Sequence, residues 1–183
     1  MLGLHYSRTG INVEEKKEWK IRIFEANFDT WGKNLASYLM FFDGAAKGNR
    51  GCAGAGGVIR NIEGHIEHIF AWGLGQDTNS QAEGLALLQG LKILHQLNIK
   101  EAKIIGDSQT IIKMLVENTS PKDIRLLRLM MRIKQITNSF HKVSFFHVMR
   151  NNNKDVDMEA NRAARLPAGT LVWNEKESWD LIP

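Results

Sequence analysis

The sequence predicts a mixed α/β fold, a five-stranded sheet with helices on both faces. Three strand-like segments follow one another closely between Leu39 and Gly73, as in an antiparallel meander. Beyond them, helical segments alternate with two further short apolar strands, the texture of parallel strands joined by helical crossovers.

The first strand is the apolar run "LMFF", Leu39 to Phe42, which ends on Asp43. A continuous apolar run suits a central strand covered on both faces. The turn "DGAAKGNRG" leads to a second strand ending in Val58 and Ile59, and a turn over Asn61 to Gly64 leads to a third, "HIEHIFAWG". "TNSQAEGLALLQGLKILHQLNI" then offers Thr78, Asn79 or Ser80 as a helix cap, followed by several turns of helix formers. "AKIIGDS" is a short strand ending on Asp107. The segments "SQTIIKMLVE" and "PKDIRLLRLMMRIKQIT" read as helices, the second with Pro121 at its start. "KVSFFHV" is the last strand and "NKDVDMEANRAARL" the last helix. The expected organisation is an extension over residues 1–37, a domain over 38–167 and a tail over 168–183.

At 183 residues, with 24% charged and 43% hydrophobic residues, the chain has the composition of one ordinary globular domain. A net charge of +4 is compatible with a polyanionic partner. The single cysteine, Cys52, excludes an internal disulfide and a zinc site of several thiolates, and an intracellular setting is expected, with nucleus, cytoplasm and organelle undistinguished. No apolar run reaches membrane-spanning length, and the N-terminus has no signal-peptide core, so no membrane partner is expected. Nothing marks an obligate protein partner, and a monomer is the default expectation.

Acids stand where burial makes them costly. Asp43 and Asp107 each end an apolar strand, and each also has a structural reading: Asp43-Gly44 as a hairpin turn, Asp107 as a helix cap. On a helical wheel of roughly 100° per residue, Glu83 shares a side with Leu87, Gly90, Leu91 and Leu94, facing the sheet, although a first-turn glutamate also suits the helix dipole. Asp157 shares its face with Ala160 and Ala164. If the two strands are neighbours, all four converge at one edge of the sheet. Like charges so placed repel unless a cation neutralises them. Carboxylates suit magnesium or manganese, and a pair of such ions roughly 3.5–4 Å apart supports phosphodiester hydrolysis.

The ordered segments "FFDGAAKGN", "TNSQAEGLALLQGL", "IIGDSQTII" and "HVMRNNNKDVDMEANRAA" resemble the ribonuclease H domain, above all those of plant reverse-transcriptase retroelements and their single-domain relatives. The resemblance spans Leu39 to Leu166. It implies a ribonuclease H-like fold, with Asp43, Glu83, Asp107 and Asp157 as catalytic ligands of two magnesium ions, or manganese in their place. The activity it implies is hydrolysis of the RNA strand of an RNA–DNA hybrid. Asn49, Thr78, Asn79, Ser80 and Gln109 match groove positions, the amides meeting sugars and base edges and Thr78 a DNA phosphate. The chain departs from the pattern in "GNRG", where many relatives have a proline in place of Arg50, and in Ser80, where a second asparagine is frequent. Arg150 stands where bacterial relatives carry a mobile histidine, while His147 and His141 read as structural. The bacterial basic loop is absent, and Arg125, Arg128, Arg132 and Lys134 read as a solvated helix face with a partial capacity for phosphate. A retroelement-derived domain that binds nucleic acid with weak or no cleavage is the alternative. The order of the acids argues against an integrase or transposase.

Overall fold

The structure, a computed structural model, describes residues 4–7, 37–48 and 51–175. The apolar run of Leu39 to Phe42 lies inside β2 (Tyr38–Ala46), which pairs antiparallel with β3 (Gly51–Arg60) and parallel with β5 (Glu101–Gly106). β4 (Ile66–Asp77) completes the meander, and β6 (Lys142–His147) runs parallel to β5. These are the five expected strands. Among the described residues the sheet nevertheless has seven, because β1 (Leu4–Ser7) adds antiparallel to β6 and β7 (Leu171–Glu175) adds antiparallel to β4, in the order β1-β6-β5-β2-β3-β4-β7. Both additions come from segments the sequence suggested as extension and tail. An edge strand needs only a neighbour with free backbone groups, and its own side chains need carry little pattern.

Alternate residues of β2 point to opposite faces. Met40 and Phe42 enter a core with Leu87, Leu91 and Leu94 of α1 (Asn79–Gln96) and with Leu126, Leu129 and Ile133 of α3 (Ile124–Thr137). Leu39 and Phe41 enter a second core with Ile105, Phe146 and Val156, the last on α4 (Lys154–Ala163). α1 is covered by the sheet on one side and by α3 on the other, so even the polar Gln89 is buried. The short α2 (Gln109–Val116) follows β5. Helix α3 begins at Ile124 rather than at Pro121, because the Asp123 carboxylate accepts the backbone N–H groups of Arg125 and Leu126 and caps the helix there. Among the described residues no helix is long and apolar enough to cross a membrane.

Two close approaches set the depth of the helices. The first turn of α1 passes directly over Gly44, and α4 lies so close to β3 that a β-carbon at Gly56 would stand 2.6 Å from the Ala160 amide nitrogen. Only glycine fits at either point.

Candidate active site

Asp43-Gly44 is no hairpin turn: both residues lie inside β2, opposite Gly56 and Ala55 of β3. β2 continues to Ala46, so Asp43 is an interior strand residue rather than a terminal one. Its pairing with β5 stops one residue earlier, where Phe42 meets Gly106. Asp43 and Asp107 are therefore the next residues on two parallel strands that part at their carboxyl ends, the usual position for a binding crevice in an open α/β sheet. The alternation that sends Leu39 and Phe41 toward α4 sends Asp43 the same way.

Helix geometry supplies the other two acids. Glu83 lies in α1, where Thr78 caps the helix by accepting the Gln81 N–H at 3.3 Å. Asp157 lies in α4, its side chain 27% exposed. The four acids sense one another: burial, then Asp107, Asp157 and Glu83 in that order, push the Asp43 carboxyl up to about 8, although a hydrogen bond from the Gly44 N–H at 2.8 Å opposes the shift. Asp43 is itself only 5% exposed. Burial likewise raises Glu83 and Asp107.

Neutral donors hold these carboxylates in place. The Ser108 hydroxyl donates to Glu83 Oε2 at 2.6 Å, and Asn79 Nδ2 donates to Oε1 at 2.8 Å. Asn153, 2% exposed, donates from Nδ2 to the Phe42 carbonyl at 3.1 Å, and its side chain also hydrogen-bonds Asp107. His147 is buried on β6, its Nε2 3.1 Å from the backbone oxygen of Asp107, in keeping with a structural role. Arg150, in a short 3-10 turn before α4, donates to Asp157 Oδ1 at 2.7 Å and draws Glu83 and Asp107 back toward the charged form.

The other residues singled out by the sequence divide. Thr78, Asn79 and Ser80 sit at the start of α1 beside Glu83, and Gln109 is exposed at the first position of α2, just after Asp107. Asn49 lies outside the described residues. Ser108, Asn153 and the pair Asp77–Arg125 had not been singled out. The cap of α2 is Ser108 rather than Asp107, which the sequence offered as one: its hydroxyl oxygen accepts the Ile111 N–H at 3.4 Å and its proton goes to Glu83. Nothing in "RNNNKD" distinguishes Asn153 from its two neighbours.

An all-carboxylate donor set fits hard divalent cations such as magnesium or manganese. A cation there would also offset the burial and the repulsion that raise the Asp43 carboxyl. As they stand, no three or more His, Cys, Asp or Glu side chains among the described residues form a ready metal cluster, and Arg150 is the positive charge paired with the acids.

Residues 41–163 match the family described as reverse transcriptase-like. The chain is 33% identical over 123 residues to ribonuclease HI of Halobacterium salinarum, covering 67% of this chain and 62% of that protein. It spans only 34% of the mycobacterial proteins it also matches, at 28% identity. The crystal structure of the Halobacterium enzyme superposes with a TM-score of 0.67 at 32% identity, over 69% of this chain and 96% of that one. LC11-RNase H1, solved in complex with an RNA/DNA hybrid, superposes with a TM-score of 0.65 at 28% identity, over 69% of this chain and 96% of that one.

Proposed function

Because the chain belongs to the ribonuclease H family, we propose that it is a divalent-metal-dependent endoribonuclease hydrolysing the RNA strand of RNA–DNA hybrids. The observation that carries this reading is the convergence of Glu83, Asp107 and Asp157 on the buried carboxyl of Asp43, where β2 and β5 part. Isolated caps and turn acids have no reason to share a field. Asp43, Glu83, Asp107 and Asp157 would hold two divalent ions, which supply an activated water and charge stabilisation at the leaving oxygen.

The protein's own groups orient that chemistry. Ser108 and Asn79 fix both oxygens of Glu83, and Asn153 ties Asp107 to the β2 backbone beside Asp43. Arg150, 74% exposed at its side chain, can turn from Asp157 to a substrate phosphate. Thr78, Ser80, Gln109 and Asn49 lie on the segments that flank the acids in sequence, and in this reading they meet the hybrid's sugars, bases and phosphates. Recognition of the 2′-hydroxyl would then select the RNA strand.

Cleavage of a labelled RNA–DNA hybrid with magnesium or manganese, beside Asp107→Asn, an RNA duplex and a DNA duplex, tests the proposal. Cutting of the hybrid's RNA alone, abolished by the substitution and by chelator, is expected. A second reading, binding without cutting, is favoured by the Arg150–Asp157 pair, which neutralises one acid without any ion. A folded protein that binds the hybrid and cuts it in neither metal would establish that reading instead.

A further inference from the structure

We propose that the exposed face of α3, carrying Arg125, Arg128 and Arg132, is a track for the phosphate backbone of one strand of the hybrid held at the acidic site. The inference rests on the hybrid reading above. Helix α3 has the sequence "IRLLRLMMRIKQIT", with four basic residues and no acid. At helical spacing, positions 125, 128 and 132 fall within about 60° of one another, roughly 120° around the helix from the centre of the buried stripe of Leu126, Leu129, Met130 and Ile133. The fourth cation is turned aside: Lys134 donates to Asn118 Oδ1 at 2.6 Å.

Arg125 anchors the track beside the candidate site. Its Nη2 lies 3.1 and 3.0 Å from the two oxygens of Asp77, a buried carboxylate at the end of β4 whose Oδ1 also accepts the Thr78 N–H at 2.9 Å. The same Asp77 thus joins the N-terminus of α3 to the cap of α1, the helix that carries Glu83. The Arg125 side chain remains 54% exposed, with further N–H donors for a phosphate.

From there the stripe leads away from the corner. Arg128 and Arg132 are exposed, and among the described residues neither forms an ion pair. The nearest acid along the chain, Asp123, is occupied in capping α3. The rise from Arg125 to Arg132 is about 10 Å at 1.5 Å per residue, close to the rise of about three nucleotides of one strand. An uninterrupted basic stripe fixed at one end to the helix-cap corner is complementary in charge and length to a short run of phosphates.

Two double variants with the same loss of charge decide the matter. Arg128→Gln with Arg132→Gln removes the free part of the track and leaves the Arg125–Asp77 anchor. Lys100→Gln with Lys142→Gln removes two charges at the opposite end of β5 and β6. Hybrid binding is measured against salt concentration without divalent ions, and cleavage kinetics with them. The track variant is expected to lower the salt slope of log K by about 0.9 for each lost phosphate contact, and to raise KM several-fold with kcat unchanged, while the control pair leaves the slope intact. Equal slopes and equal KM for the two pairs overturn the proposal, even if the wild-type protein cuts the hybrid. A lost slope in a protein that binds but never cuts upholds the track and overturns the nuclease reading alone.

Discussion

Gly44 backs directly onto the amide nitrogen of Glu83, so closely that a β-carbon at 44 would overlap the peptide joining Ala82 to Glu83. The residue after the most buried acid thereby sets how far a second acid can approach it. The obstacle is helix backbone, which cannot rotate aside as a long side chain could. Gly44→Ala is expected to push the first turn of α1 off the sheet, at a cost of about 1–3 kcal/mol of overpacking. Displacing Glu83 by even a fraction of an ångström should reduce hybrid cleavage by an order of magnitude or more. Urea denaturation and single-turnover cleavage measure the two effects; wild-type cleavage in the folded variant would contradict the argument.

Asp43 dictates how stability varies with pH. Its carboxyl is raised from 3.8 to about 8 in the folded protein, so between those values the native state holds a proton that the unfolded chain has lost. Stability therefore falls as pH rises from about 4 to about 8, and the raised Glu83 and Asp107 tilt it the same way. Asp43→Asn cannot ionise and should flatten that slope, melting higher than the wild type at pH 8 without added metal. Magnesium should stabilise the wild type at pH 8 by about 2.7 kcal/mol at a hundred times its dissociation constant, and the variant by less. Thermal melts across pH with and without magnesium provide the test.

Ser108 couples α2 to the acid on α1. Its donation to Glu83 Oε2 lowers a carboxyl that burial raises, and its oxygen caps α2. Ser108→Ala should cost about 1 kcal/mol through the cap. It should also raise the Glu83 pKa further, moving the acid limb of the cleavage profile to higher pH. An unmoved limb in the variant would remove Glu83 from the titrating set.

Asn153 is the tie between β2 and Asp107. Without its side chain the Phe42 carbonyl loses a partner in a buried setting, a loss of about 1–3 kcal/mol. Asn153→Ala should therefore destabilise the fold and lower kcat more than it raises KM, since in the proposed reaction the groups it supports would hold the reacting atoms rather than distant phosphates. Equal effects on both constants would make it a plain core residue.

The residues that could be read from the sequence are those whose placement is expensive. An acid that closes an apolar run, as at Asp43 and Asp107, has few structural uses that offset its desolvation, and two such runs point to one place. The meander and the alternating half of the sheet were legible because Leu39 to Phe42 and Ala102 to Ile105 carry long-range burial in their composition. Strands β1 and β7 were not, since a short edge strand is specified by its neighbour's free backbone. Asp77, Ser108 and Asn153 stayed hidden for a different reason: beside a helix start, Asp, Ser and Asn are ordinary caps, and only tertiary contacts reveal a second partner.

Arg150 offers the sharpest separation between structural and functional roles. Its pair with Asp157 is 2.7 Å long but largely solvated, the arginine side chain being 74% exposed, so its contribution to stability is about 0–1 kcal/mol. The same guanidinium would compete with a divalent cation for Asp157, and it favours the charged forms of Glu83 and Asp107. Arg150→Gln should leave the unfolding midpoint nearly unchanged. If competition for Asp157 outweighs the support given to the other two acids, magnesium binds several-fold more tightly in the variant, as titration calorimetry will measure. Hybrid KM should rise in the same variant, because a phosphate partner has been removed. Opposite movements of the two affinities are what a cation that exchanges between Asp157 and substrate produces; parallel movements would confine Arg150 to one partner.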